Sequence, residues 1–333
     1  VIEFEGIGPG PLAGKMLASY GAEVTVIRRP SGNAMRGMVA GGGADIIDGG
    51  KAAVAIDLKG PEGVAAALDL VASADALIEG NRPGVMERLG LGPDVCFARN
   101  PKLVYGRMTG WGQDGPLASA AGHDLNYVAL SGLLSLAVRP GVAPLVPPTV
   151  LGDATGALGL CFGMVSALLE ARTTGKGQVV DAAITDIVAM LGSLVHFLRA
   201  NGALDTGRPS MFHDSPFYDS YECSDGKWVT VGALEPQFYA IFVEKIGLSA
   251  EMAAAQFDFA RWPELKARVA EVFRGKTRDE WCALLEGTDV CFAPVLTIAE
   301  AAQHPHNVAR GTFTVEGNAI SAAAAPRFKR QNE

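Results

Sequence analysis

The sequence predicts an α/β fold, a parallel β-sheet wrapped by helices, followed by a smaller α+β domain. Three observations carry this. Short apolar runs alternate with stretches of helical periodicity through residues 1–200, the pattern of strands joined by helical crossovers. Glycine and proline punctuate nearly every junction between them. From Phe217 the texture changes to a hairpin followed by amphipathic helices.

The elements come in this order. VIEF is a strand that ends in the turn GIGPGP, and LAGKMLASYG has helical spacing with Gly21 as its stop. AEVTVIRRP is a second strand and KAAVAIDLKG a third. PEGVAAALDLVASA is a helix opened by Pro61 and Glu62. DALIEG is a strand, RPGVMERLGLG a helix and KLVYGRMTGWG a strand. A Gly/Pro-rich loop leads to Ala121-Gly122-His123. The stretch from Thr149 to Gly175 reads as one long helix rich in small residues, and residues 177–202 add a strand and another helix. FYDSYECSDGKWVTVGAL is a hairpin turning at Ser224-Asp225-Gly226. PQFYAIFVEKIGL, WPELKARVAEVFRG and RDEWCALLEG are helices. The domain boundaries are accordingly 1–200 for the large domain, 215–310 for the small one, and 311–333 for a C-terminal segment returning towards the first.

Composition narrows the function classes. The 333 residues are 49% hydrophobic, enough for a sizeable core, and the formal charge is −8. No basic run points to nucleic acid or to an anionic membrane surface, and no apolar run is long enough to span a bilayer. The 5 cysteines are scattered, odd in number and never in a CxxC pair, which argues against a disulfide framework or structural zinc and for a reducing compartment. No metal site is expected. No targeting signal is visible, so the expected location is cytoplasmic in a bacterium, and peroxisomal or mitochondrial in a eukaryote.

Several residues stand out as candidates. GIGPGP comes after a strand and opens a helix, yet it is a poor dinucleotide fingerprint. The third glycine is missing, Pro9 and Pro11 remove two amide donors, and Arg28 and Arg29 stand where an acid is required. A structural tight turn is the better reading. The arginine pair is either a site for a ribose phosphate or an exposed solvated pair. Lys59, Arg82 and Arg88 also fall just past predicted strands, where open α/β sheets bind ligands, and with Arg29 they suit a polyphosphate. His123 sits in a loop between glycine and an acid, a setting suited to proton transfer near neutrality. Asp153 and Glu235 each precede a helix, where a routine capping role competes with a catalytic one. Met108, Met164, Met190 and Met211 are either an adaptable acyl-chain lining or plain core.

These residues, taken with their order and spacing, resemble the class III coenzyme A transferase family, and within it the branch that epimerises 2-methylacyl-CoA thioesters. The resemblance runs through nearly the whole chain. It rests on GIGPGP, AIDLKG, IEGNRPGVMERLGLG, RMTGWGQDGP, AGHDLNY, LGDATG, GKGQVVDAA, FYDSYECSDGKWVTVGALEPQFY and RWPEL. It implies a Rossmann-like core in the large domain, an interlocked homodimer with active sites at the subunit interface, and acyl-CoA thioester substrates, with coenzyme A as part of the substrate and no further cofactor. It implies that Arg29, Ile56, Asp57, Leu58, Lys59, Gly80, Asn81, Arg82 and Arg88 hold the 3′-phosphoadenosine diphosphate portion. Gly122, Asp124, Leu125, Asn126 and Tyr127 join them as substrate contacts.

The resemblance also implies roles. In the transferases the aspartate at Asp153 is a nucleophile; in the racemases it is one of two acid/base groups, the other being the histidine of a GHD motif, here Gly122-His123-Asp124, paired with the glutamate at Glu235. The implied reaction is a 1,1-proton transfer interconverting (2R)- and (2S)-2-methylacyl-CoA through an enolate. His123 serves one face and Asp153 the other, and the amides at the start of the LGDATG helix are expected to stabilise the enolate oxygen. Three other readings compete: CoA transfer to a carboxylic acid through an aspartyl anhydride, non-catalytic binding of CoA thioesters, and an NADP-dependent reductase. The chain departs from the racemase pattern in carrying Thr149 where asparagine is usual. It also departs in DGGKAAV, which keeps Lys51 but has glycines where arginine and asparagine are expected.

Overall fold

A computed structural model describes residues 1–32, 46–137, 139, 141–205, 207–317 and 319–329. Residues 330–333 of the predicted C-terminal segment lie outside the described residues. The chain forms two compact units, Val1–Ser193 with Glu316–Glu333, and Leu194–Val315.

The first unit is built on a six-stranded sheet. Its strands are β1 (Ile2–Phe4), β2 (Thr25–Arg28), β3 (Ala52–Ala55), β4 (Ala76–Glu79), β5 (Val104–Thr109) and β6 (Val179–Ala183). Their order is β3-β2-β1-β4-β5-β6 and every pairing is parallel. This is the doubly wound order in which the chain reverses direction across the sheet between β1 and β4. Successive side chains alternate between two helical layers. Ala76, Ile78, Val104 and Met108 face Ala13, Ala157, Leu160 and Met164, whereas Leu77 and Tyr105 face Ala67, Val71, Met86 and Cys96. Burying one such leucine side chain contributes about 2 kcal/mol. The same alternation settles the methionine question for two positions. Met108 and Met164 are core, and Met164 lies so close to β5 that a side chain on Gly106 would sit 2.9 Å from its sulfur.

Proline at the first helical position opens the helices Pro9–Ser19, Pro61–Ala72 and Pro93–Arg99, where its missing N–H costs nothing. Three elements differ from the sequence reading. The predicted helix 82–92 is the single turn Val85–Arg88, because Gly84 and Gly90 both take left-handed backbone, and Pro93–Arg99 comes next as a separate helix. The long helix proper is Thr155–Thr174, preceded by a wider π turn over Val150–Ala154. The helix after β6 breaks at Gly192 into Ile184–Leu191 and Ser193–Ala200; a Cβ there would meet Leu133 at 2.9 Å. In the tail, the Tyr20 hydroxyl donates to the Pro326 carbonyl (2.6 Å) and Phe328 packs edge-on against Tyr20.

The second unit has an antiparallel sheet of β7 (Tyr218–Glu222), β8 (Trp228–Gly232) and β9 (Phe292–Pro294). The hairpin turns at Ser224-Asp225-Gly226 as predicted; β9 returns from 60 residues further on (292 − 232) and gives no signal of its own in the sequence. Helices Pro236–Ile246, Trp262–Phe273 and Arg278–Leu285 surround an aromatic core of Phe217, Phe242, Trp262, Phe273 and Trp281. Both buried indoles are satisfied: Trp262 donates to Gln256 O (2.8 Å) and Trp281 to Phe273 O (2.9 Å).

A buried ion pair ties β1 to the loop before β3. Lys51 Nζ donates to Glu3 Oε2 (2.7 Å) and to the Pro11 carbonyl (2.8 Å), and both side chains are only 1% exposed. Gly14 makes room for it, since a Cβ there would fall 1.9 Å from Glu3 Oε2. Lys51→Ala removes the buried cation bonded to Glu3 and is expected to lower stability by about 3–5 kcal/mol. Arg99→Ala, which removes an exposed pair with Asp69, is expected to cost under about 1 kcal/mol. Urea unfolding of the two variants checks this; equal midpoints would contradict it.

Candidate active site

Because all six strands run the same way, their C-terminal ends form one edge, and the segments just past β1, β4 and β5 meet where the strand order reverses. Those segments are Gly6-Ile7-Gly8, Gly80-Asn81-Arg82 and Gly110-Trp111.

The loop after β5 is pinned at its start. The Gly110 carbonyl accepts from both the amide (3.1 Å) and the hydroxyl (3.0 Å) of Thr185, Gly112 N donates to Thr109 Oγ1 (3.0 Å), and Gln113 N donates to Asp181 Oδ2 (3.1 Å). The loop returns to the edge through Gly122. Tyr127 fills the space between its two arms: a Cβ on Gly110 would fall 2.0 Å from the Tyr127 ring, and one on Gly122 would fall 2.7 Å from it and 2.8 Å from Trp111. Trp111 meets Tyr127 edge-on with centroids 4.7 Å apart. The Tyr127 hydroxyl donates to the Gly122 carbonyl. This packing fixes the residue that comes next, His123.

His123 is exposed, has extended backbone, and caps the helix Asp124–Leu130. Its amide donates to Asn126 Oδ1 (3.0 Å), so Asn126 holds the histidine from one turn ahead. The sequence reading contains no such helix, and histidine is not a residue that signals a cap. Leu125 projects outward from the same turn and is exposed.

Asp124 points inward and is buried. Its Oδ2 accepts from Gly152 N (3.0 Å) and Asp153 N (2.8 Å). This corrects one expectation: two amides at the start of the LGDATG segment are already engaged by Asp124, and the Ala154 amide by the Thr149 carbonyl (2.9 Å). They are not donors for an enolate oxygen. Thr149 adopts φ 63°, a left-handed conformation costly for a β-branched residue, and from it the π turn carries Asp153 to the edge beside the glycine turn. A Cβ on Gly8 would lie 3.4 Å from Asp153 Oδ2. GIGPGP is thus a close neighbour of Asp153. Burial, and then the Asp124 charge, push the Asp153 carboxyl up to about 6, against the opposing influence of His123. An exposed imidazole and a half-buried carboxyl pushed up to about 6 are therefore displayed from two elements joined through Asp124.

The expected CoA contacts lie along the same edge. Arg29 comes after β2, Ile56-Asp57-Leu58-Lys59 after β3, and Gly80-Asn81-Arg82 after β4, with Arg88 in the next helical turn. Neighbouring strands are about 4.8 Å apart, so the ends of β3 and β4 lie roughly 14 Å from one another, a span suited to an extended ligand. Arg29, Lys59, Arg82 and Arg88 are exposed; Ile56 belongs to the core, and Asp57 Oδ1 accepts from Lys59 N (3.1 Å). Arg82 is near enough to Tyr127 to oppose the upward push of burial and Asp153 on its hydroxyl. Lys51 is consumed by Glu3, and Arg28 pairs with Asp48.

Sequence reasoning missed the group that holds the arginine loop. Glu79 and Arg107 are register partners on β4 and β5, both buried, with Arg107 Nε donating to Glu79 Oε1 (2.9 Å). The guanidinium also donates to Glu87 (2.8 and 3.3 Å), while Glu79 Oε2 accepts from Asn81 N (2.7 Å). Burial pushes the Glu79 carboxyl up; the Asn81 amide and Arg107 pull it down. The signal was present as a charge inside each of two otherwise apolar strands, IEG and GRMTG. Glu235 lies in the second unit, ahead of Pro236–Ile246, where its carbonyl accepts from Tyr239 N (2.9 Å).

CoA-transferase family III matches residues 1–331. The chain is 40% identical to alpha-methylacyl-CoA racemase of Mus musculus, over 99% of this chain and 85% of that one. It is 32% identical to the succinyl-CoA–L-malate CoA-transferase alpha subunit of Chloroflexus aurantiacus, over 98% and 80%. A CAIB/BAIF family protein from Brucella suis superposes with a TM-score of 0.83 at 25% identity, over 98% of this chain and 90% of that one.

A raised Asp153 pKa has a stability consequence. The folded protein disfavours the carboxylate, so the extra stability is present below the unfolded pKa of 3.8 and is lost as pH rises through about 6. Asp153→Asn removes the penalty. Its melting temperature is expected to exceed that of the parent above pH 6 and to converge with it near pH 4. A constant difference across that range would contradict the assignment.

Proposed function

The chain belongs to CoA-transferase family III, and from that premise we propose that it is an acyl-CoA epimerase interconverting (2R)- and (2S)-2-methylacyl-CoA. The observation that carries the reading is that His123 and Asp153 are displayed from two elements joined through the bonds of Asp124 to the Gly152 and Asp153 amides, with the Asp153 carboxyl pushed up to about 6. A thioester carbonyl makes the adjacent C–H weakly acidic. Inverting that carbon needs one group to remove the proton from one face and a second to deliver a proton to the other. Neutral His123 takes the proton from one epimer while protonated Asp153 supplies the opposite face, and the roles exchange in the reverse direction. A part-protonated carboxyl suits an acid/base group better than a nucleophile, which works as the anion. The similarity to the mouse racemase supports the same side. Glu235, which the family resemblance ranks with these two, is tested by the same assay.

The cationic residues Arg29, Lys59, Arg82 and Arg88 suit the phosphates of coenzyme A, with the thioester directed to the β1/β4 crevice. A second copy of the chain is also part of the reading. On Thr155–Thr174, Leu158, Phe162, Val165 and Leu169 are exposed at spacings that align them on one helical face, and Phe162 is 70% exposed. Such a stripe is more than a monomer ordinarily shows to water, and a homodimer would cover it.

The competing reading is CoA transfer to a carboxylic acid through Asp153. Incubation with a single epimer of a 2-methylacyl-CoA in D₂O, followed at C2 by NMR, separates the two. The expected result is deuterium entry with inversion in the parent protein; inversion falls ~10²-fold or more in both His123→Ala and Asp153→Asn, with Glu235→Gln also impaired. No deuterium entry, together with CoA passing to an added carboxylate, would overturn the epimerase.

A further inference from the structure

We propose that Asp124 is not a substrate contact but the positioning residue for Asp153, fixing through its carboxylate the turn that presents Asp153 and setting the charge that faces it. The inference deepens the epimerase reading and rests on it for its catalytic consequence.

The geometry is specific. One oxygen, Asp124 Oδ2, accepts both the Gly152 and the Asp153 amides at 3.0 and 2.8 Å, and the residue is 8% exposed. Two backbone donors satisfy that oxygen of the buried carboxyl. An oxygen so engaged is a poor proton carrier, and the side chain is spent on the backbone 28 and 29 residues ahead. Gly152 completes the lock. A Cβ there would meet Asp124 Oδ2 at 2.7 Å and its carboxyl carbon at 2.9 Å. The two short stretches, Gly122-His123-Asp124 and Leu151-Gly152-Asp153, are therefore halves of one joint. The first carries the imidazole on one side and the clamp on the other; the second carries the space for the clamp and the carboxyl it positions.

The charges around Asp153 come from few sources. The π turn packs against four helices. The Asp124–Leu130 helix and its cap contribute His123, Asp124 and Tyr127, and Ile184–Leu191 contributes Asp186. Pro9–Ser19 contributes Lys15, whose ammonium is bound to the Gly49 carbonyl, and Thr155–Thr174 has Glu170 and Arg172 only near its far end. Of these, Asp124 and His123 act on the Asp153 carboxyl, Asp124 the more strongly.

The test uses three variants. Asp124→Asn keeps an oxygen for both amides and loses the charge. Asp124→Ala loses both. Gly152→Ala displaces the clamp while leaving Asp124 in the chain. Carboxyl-¹³C-labelled aspartate NMR of the substrate-free protein, with Asp153→Asn to assign the signal, reports the Asp153 titration directly. The expected result is a lower Asp153 midpoint in Asp124→Asn, with the acid limb of C2–H exchange moving down by the same interval for the epimer that Asp153 deprotonates. Asp124→Ala and Gly152→Ala are expected to lose about 100-fold or more in exchange rate at little changed KM, the penalty of a displaced reacting group. An unchanged midpoint in Asp124→Asn overturns the proposal, as does full exchange in Gly152→Ala. If Asp124→Ala does not fold, Asp124→Asn and Gly152→Ala decide. If the parent protein shows no exchange at all, the epimerase reading fails, and the NMR titration still decides whether Asp124 sets the state of Asp153.

Discussion

A carboxylate taken out of water must find hydrogen bonds or give up its charge. Asp124 finds them in the amides of Gly152 and Asp153, and much of the site depends on that choice. The bonds tie the start of the Asp124–Leu130 helix to the π turn before Thr155–Thr174, so His123 and Asp153 are displayed from two elements that hold each other. They also place a negative charge beside Asp153. The turn is held from its other end by the Thr149 carbonyl and left-handed backbone, a local strain that the surrounding bonds sustain.

The sheet supplies the platform. Six parallel strands bring the loops after β1, β2, β3, β4 and β5 to one edge, and the strand order reverses there between β1 and β4. The loops are then stiffened by different chemistry at each strand. A buried Glu3–Lys51 pair braces β1. The Glu79–Arg107–Glu87 chain braces the arginine loop after β4, and the Trp111–Tyr127 packing between two glycines braces the loop after β5. Cations that remain exposed on this edge, Arg29, Lys59, Arg82 and Arg88, face solvent where a polyphosphate would lie.

Much of this was legible in the sequence, because it is local. Apolar runs of strand length, proline-led helices and the Ser224-Asp225-Gly226 turn each depend on neighbours within a few residues. The placement of Arg29, Lys59 and Arg82 along one edge was legible too, since parallel topology sends the loop after each strand to the same side of the sheet. The features that escaped are non-local or atypical. Helix Asp124–Leu130 begins at a histidine cap. The π turn is a widening that small residues permit but do not announce. Glu79 and Arg107 read singly as surface charges until register makes them partners. The expected use of the LGDATG amides failed for the same reason: their acceptor stands 28 residues back in the chain, and nothing in the spacing of either motif shows that the two are joined.

The central claim is that two groups, one for each face, handle the proton at C2. It is tested most directly by separating exchange from inversion. Each pure epimer of a 2-methylacyl-CoA would be incubated in D₂O with His123→Ala and, separately, with Asp153→Asn, and deuterium entry and configuration at C2 followed together. The account predicts that each variant still exchanges one epimer without inverting it, and that the two variants retain opposite epimers. Inversion persisting in either variant, or both variants retaining exchange of the same epimer, would contradict it.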